Sequence, residues 1–207
     1  MNRSVAMFLG MLFLAAVGSL VVRWLLAEHG GVDAEAGFAH LLGKPAPALK
    51  ADHVLGGGPD SLADLKGKVV LLDFWAVWCG PCVSTFPHLK RWHQEFGPKG
   101  LEIVGATTYF KTFDFDPTTG RTRPSATPLT QDQENAMLAK FATFHQLPYR
   151  LWVLNRESYL QATADYGVEG IPHVVLIDRE GMIRYVRVGA GEDAKAATES
   201  KLRELLR

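Results

Sequence analysis

Cysteine is nearly absent: the 207 residues contain two, Cys79 and Cys82. A disulfide-scaffolded fold and a four-cysteine zinc site are therefore excluded, and no histidine stands at metal-ligand spacing from the pair. Net charge is lacking too, with 22 basic side chains against 22 acidic ones. No basic face is implied, and without one there is nothing to displace the counterions of a nucleic acid. The chain has no internal repeat. Its 47% hydrophobic and 10% aromatic content excludes a disordered or collagen-like protein. What remains is a length that suits one domain with a sizeable core plus an additional segment. The two cysteines, if they matter, matter to each other.

The additional segment comes first. Val5 to Val22 is an 18-residue stretch without a charge, bounded by Arg3 and Arg23. At the helical rise it spans about 27 Å, close to the hydrocarbon thickness of a bilayer, and it is longer than the apolar core of a secretory signal. Residues 1–27 are therefore expected to be a membrane anchor, with a cleaved signal as the alternative. Either reading sends the rest of the chain out of the cytoplasm. Residues 28–43 read as a polar tether, and residues 44–207 as the folded domain.

Within that domain apolar runs alternate with helical patterns. Lys68 to Trp75 and Leu101 to Thr107 read as buried strands, and Pro81 to Phe96 as the helix between them. Glu134 to His145 and Arg156 to Tyr166 read as helices on either side of a short strand, Leu151 to Leu154. Val174 to Ile177 and Met182 to Val188 flank a hairpin turn, and a last helix starts near Glu192. This order predicts an α/β fold with a central mixed sheet flanked by helices. Residues 109–131 interrupt the scheme as an insert, read as a protruding hairpin. Its acidic spacing falls short of a calcium loop because Pro117 and Gly120 stand in the wrong places.

The chemistry concentrates at Trp78-Cys79-Gly80-Pro81-Cys82, where an apolar strand gives way to a helix. Unpaired N–H groups and the positive dipole end at a helix N-terminus stabilise a thiolate, which makes Cys79 the expected nucleophile. Pro81 falls in the first turn, where a missing N–H costs nothing. Cys82, one turn on, is placed to resolve a mixed disulfide, and Gly80 leaves room for a partner backbone. Asp73 interrupts an apolar strand, so its carboxyl group is expected to face a core and to hold its proton more tightly. Such a group can exchange a proton with Cys82. Trp78 is expected on an apolar contact surface, Trp75 in packing, and His88 and His93 in solvent.

These residues resemble the thioredoxin superfamily. Trp-Cys-Gly-Pro-Cys is its signature, preceded here by Asp73-Phe74-Trp75-Ala76, and Pro87 matches the proline that kinks the family's active-site helix. Tyr166 to Pro172 resembles the segment that ends in the family's cis-proline beside the thiols. Gly43-Lys44-Pro45-Ala46-Pro47 and Leu62 to Lys68 are similar to the membrane-anchored TlpA/ResA-like branch. The resemblance covers about residues 43–207 apart from the insert. It implies a cis Ile171–Pro172 bond that turns the Ile171 backbone toward the thiols and offers edge hydrogen bonds to an extended substrate. In thioredoxins the residue matching Asp73 is credited with proton transfer, whereas the TlpA/ResA-like branch often has Asn. Many anchored relatives also carry Glu where this chain has Thr85, and His173 stands where the family more often has Thr. A charged His173 would tune the Cys79 thiolate at acidic pH; the plainer reading is a half-exposed residue at a strand start.

The resulting expectation is a thiol–disulfide oxidoreductase held by one transmembrane helix, with its catalytic domain in the periplasm or an equivalent extracytoplasmic space. Cys79, Cys82 and Asp73 would be catalytic, and Trp78, Gly80, Pro81, Ile171 and Pro172 would contact substrate. No metal or separate cofactor is expected beyond a redox-active Cys79–Cys82 disulfide. The Gly-Pro pair resembles reducing members of the family, which implies protein disulfide substrates, a membrane thiol-electron donor, and a role in cytochrome c maturation or similar envelope chemistry. One alternative is a peroxiredoxin-like thiol peroxidase, although the residues before Cys79 do not supply the Pro-x-x-x-Thr-x-x-Cys arrangement. The other is a copper metallochaperone using the two cysteines and His173.

Overall fold

The computed structural model describes residues 36–207, of which Phe38–Arg207 form one compact unit. The expected anchor over Val5 to Val22 lies outside the described residues. Among the described residues, no helix is long and apolar enough to cross a membrane.

Strand β2 (Val69–Phe74) is buried at every position. It lies between β3 (Leu101–Thr108), to which it is parallel, and β7 (His173–Ile177), to which it is antiparallel. Covered on both faces, it reads as a continuous apolar run rather than an alternating one. β6 (Arg150–Leu154) extends the sheet parallel to β3, β1 (His53–Leu55) closes that edge, and β8 (Ile183–Val188) closes the other. The order is β1-β6-β3-β2-β7-β8, a mixed sheet with helices on both faces. The expected thioredoxin-like α/β architecture is the observed one.

Strand alternation divides the core. Val69, Leu71, Trp75, Ile103 and Leu151 face one layer, with helix α1 (Gly80–Phe96), helix α2 (Gln131–His145) and Leu202 of helix α4 (Glu192–Leu205). Val70, Leu72, Phe74, Val104 and Val175 face the other, with Tyr159 and Ala162 of helix α3 (Arg156–Asp165). α1 buries Cys82, Phe86, Leu89 and Phe96 at helical spacing. α2 starts three residues earlier than its apolar pattern suggests. Thr130 and Gln133 form a capping box there, satisfying the first N–H groups before any apolar residue appears.

Two expectations need correction. The stretch read as a tether up to residue 43 is partly structured: Leu41 is buried in the α3 layer, with Phe38 and Leu42 packed beside it. Gly43 and Ala46 donate backbone hydrogen bonds to Ile183 and Gly181. The insert does form a hairpin, β4 (Phe113–Asp116) with β5 (Arg121–Pro124), but it does not protrude. Phe115 is buried against Phe141, Phe144 and His145, which folds the hairpin back onto α2.

Candidate active site

The loop leaving β2 carries Trp75 to Val77, all buried, and delivers Cys79 to the N-cap of α1. The Cys79 backbone is extended there, and its Sγ accepts the Cys82 N–H at 3.1 Å. A sulfur at an N-cap receives a donor otherwise left unpaired and sits at the positive end of the helix dipole. Cys79 and Cys82 are joined as a disulfide, so the structure represents the oxidised form. Cys82 is fully buried and Cys79 nearly so. The Thr85 hydroxyl donates to the Cys82 carbonyl at 2.7 Å, a bond within the helix.

The Ile171–Pro172 peptide bond is cis, as the resemblance implied. It brings the Ile171 carbonyl oxygen to 3.8 Å from the Cys79 Sγ. Gly80 and Pro81 are exposed at the helix start, and a Cβ at Gly80 would meet nothing within 4 Å. The side of the pair facing away from the core is therefore open. Trp78 flanks it with its residue surface 44% exposed.

Asp73 lies beneath this group in the centre of the sheet, paired with Gly105 on one side and Val174 on the other. Its neighbours on the same strand face, Leu71 and Trp75, belong to the layer that holds Cys82. It is 1% exposed, and neither carboxyl oxygen has a hydrogen-bond partner. Burial without compensation disfavours the carboxylate and pushes its pKa up to about 8 from the usual 3.8. A water-facing edge Asp is thus excluded. Tyr149 is in the same layer, with its hydroxyl also unpartnered; burial, and then the Asp73 charge, push its pKa up. Trp75 packs as expected, stacked on Phe141 at 5.3 Å. Gly105 makes room for it, since a Cβ there would come to 2.9 Å from the Trp75 Nε1 and 2.8 Å from a Leu151 methyl.

His173 meets neither expectation. It is 0% exposed, with rings of Phe38 and Phe74 edge-on at 5.4 Å and 5.9 Å. Strand alternation sends it, with Val175, into the α3 layer on the far side of the sheet from the thiols. Burial lowers its pKa to about 4, and the Tyr166 backbone offsets this only in part, without forming a hydrogen bond. It is neutral at physiological pH and cannot join the cysteines as a copper ligand. Nor are His88 and His93 in solvent: both are half-buried, with His88 beside Trp92 and His93 beside Tyr149.

The insert reaches the site. Phe110 and Phe113 lie against the Trp78 ring at 5.5 Å and 6.0 Å. The Thr122 hydroxyl donates to the Val77 carbonyl at 2.9 Å, tying β5 to the residue before Trp78. Glu134, which the sequence reading passed over as one acid in an amphipathic helix, accepts the backbone N–H groups of Phe110 and Lys111. Its signal was available: an acid in the first turn of a helix that directly follows an insert.

Comparison with known proteins agrees with this geometry. A family model described as Redoxin matches residues 41–206. Thiol-disulfide oxidoreductase ResA of Bacillus thuringiensis is 26% identical over 79% of this chain and 78% of its own length. Protein DipZ of Mycobacterium bovis is 30% identical over 73% of this chain, which spans only 18% of DipZ. A crystal structure of a putative thiol:disulfide interchange protein DsbE from Chlorobium tepidum shares 32% identity with a TM-score of 0.55. It covers 80% of this chain and 98% of its own.

Proposed function

Because the chain belongs to the Redoxin family, in a TlpA/ResA-like group of the thioredoxin superfamily, we infer that it is a thiol–disulfide oxidoreductase that reduces disulfides in protein substrates outside the cytoplasm. The observation that carries this reading is the Cys79 sulfur, held at a helix N-cap, hydrogen-bonded by the Cys82 N–H, and facing the cis-proline loop. The Cys79 thiolate attacks one sulfur of the target disulfide. A Cys79–substrate bond forms, the substrate S–S bond breaks, and one substrate thiolate leaves and is protonated. Cys82 attacks the Cys79 Sγ as its thiol proton passes to the Asp73 carboxylate, a form whose share grows as pH rises toward about 8. That step forms the intramolecular disulfide and expels the second substrate sulfur as a thiolate, which takes a proton from solvent. Two electrons pass from the dithiol to the substrate, which gains two protons. In the reverse half-cycle a thiol donor opens the Cys79–Cys82 bond, and Asp73, protonated below about pH 8, returns a proton to Cys82.

Trp78, Gly80, Pro81 and Ile171 form the open side on which the substrate rests. The uncharged run Val5–Val22 supports anchoring in the cytoplasmic membrane, with the domain facing the periplasm or its equivalent. A reductant there draws its electrons from a membrane thiol donor, and its substrates are those of envelope thiol chemistry such as cytochrome c maturation. The Gly-Pro pair, as in reducing members of the family, supports a potential nearer their roughly −270 mV than the roughly −120 mV of strong oxidants. Cys82→Ser is the test: it should accumulate mixed disulfides on Cys79, and capture by Cys79→Ser instead would reverse the two roles. A potential more oxidising than about −170 mV would reverse the direction of electron flow.

A further inference from the structure

The insert builds an apolar surface next to the thiols. Phe115 anchors the hairpin inward on Phe141 and Phe144, and Thr122 ties it to Val77, while Phe110 and Phe113 pack partly on the core and partly toward Trp78. They are half-buried and lie on Trp78, which precedes Cys79 in the chain and remains open to solvent. The attachment of their base is more elaborate than a surface loop requires. Glu134, 1% exposed, accepts the Phe110 N–H at 2.7 Å and the Lys111 N–H at 3.0 Å. Lys111 has φ 61°, a conformation seldom taken by residues other than glycine. Asn135, the next residue on α2, accepts the Tyr109 hydroxyl at 3.1 Å. A carboxylate is expensive to bury, and this one is spent on two backbone donors that fix where the Phe110 ring stands.

We propose that Trp78, Phe110 and Phe113 form the substrate-selecting surface of the redox site, taking an apolar side chain that flanks a cysteine of the target disulfide, and that Glu134 is the positioning residue that holds this surface against Trp78. The proposal rests on the oxidoreductase reading above and specifies its substrate class: polypeptides with an aromatic or large aliphatic residue beside the reactive cysteine. Three rings offer dispersion contact and exclude water from such a side chain, while a polar neighbour gains nothing and loses hydration.

The test is single-turnover oxidation of the reduced full chain by two short peptides, each closed by one disulfide. The peptides differ only in Phe or Ser next to the attacked cysteine, and the readout is the ratio of the two rates. One buried apolar side chain discriminates by about tenfold or more, so the wild-type ratio should be near ten. Phe110→Ala, Phe113→Ala and Glu134→Ala should each bring it to about two or less. Glu134→Gln keeps an oxygen for the Phe110 N–H and should restore most of it, which a merely structural effect on folding would not predict. If Glu134→Ala does not fold, the two Phe variants decide. A wild-type ratio near one with both peptides reactive overturns the selection surface and leaves the oxidoreductase reading intact, and so does a ratio unchanged in the Phe variants. Failure to react with either peptide overturns both.

Discussion

Asp73→Asn changes one atom at the centre of the sheet, and its consequence can be worked out. Burial pushes the Asp73 pKa from 3.8 to about 8 in the folded oxidised protein. Each tenfold change in proton affinity is worth about 1.4 kcal/mol, so this displacement corresponds to about 6 kcal/mol. A carboxyl group whose folded pKa is raised contributes full stability below its unfolded pKa, near 4. That contribution is lost as pH rises toward about 8, because the folded state must then either keep the proton or bury a charge. Asn carries no proton to lose. Urea unfolding of the oxidised wild type and the variant at half-unit steps from pH 4 to 8.5 should therefore show their stability difference moving in favour of Asn by several kcal/mol across the window. The difference is the proper readout, because His173 titrates with the opposite sign in both proteins and cancels. Parallel stability curves would refute a buried, uncompensated carboxyl group. The same variant should slow release of a Cys79 mixed disulfide by about 100-fold above pH 8, where the Asp73 carboxylate is the populated proton acceptor, and by less as pH falls below that midpoint.

Other outcomes follow from the same geometry. His173 has a folded pKa lowered to about 4; a lowered pKa favours folding above the unfolded value of 6.5, and that advantage is lost as pH falls toward 4. Relative to the wild type, His173→Phe should thus gain about 3 kcal/mol of stability between pH 7 and pH 4, as read by chemical unfolding, with thiol reactivity unchanged at pH 7. Gly105→Ala should lower stability by about 2 kcal/mol in thermal unfolding, because its Cβ would meet the Trp75 indole at 2.9 Å and something must shift. It should also perturb Trp fluorescence, since Trp75 is the ring displaced. The peptide-selectivity ratio and its loss in Phe110→Ala complete the set.

Much of this site could be read from residue types and spacing, and its gaps have physical causes. The run Val69–Phe74 announced a strand covered on both faces, and an acid inside such a run had nowhere to go but a core. Cys79 at a strand-to-helix boundary with Pro81 in the first turn marks the start of the helix by residue type alone. His173 was misplaced because strand periodicity tells which residues share a face without telling which face a strand presents to the thiols. Its pairing with Phe74 and its contact with Phe38 come from across the chain. The stretch 38–43 reads as a tether because Phe38, Leu41 and Leu42 are too few to form an apolar run and the backbone bond from Gly43 to Ile183 leaves no mark on composition. Glu134 carried only its place in the first turn of a helix after an insert as a signal, because a carboxylate that serves two N–H groups of a loop is the same residue type as one that faces water.

The ionisation of Cys79 in the reduced protein bears on the whole account more directly than any activity. With Cys82 replaced by Ser so that a single thiol remains, absorbance at 240 nm followed against pH reports that ionisation alone. Placement at the α1 N-cap, with the residue 82 N–H directed at the sulfur, predicts a midpoint well below the roughly 8.5 of a free thiol, in the range of reactive cysteines at helix N-termini. A midpoint at or above that of the free thiol would mean that the helix end does not stabilise the anion, and the assignment of Cys79 as the attacking group would not stand.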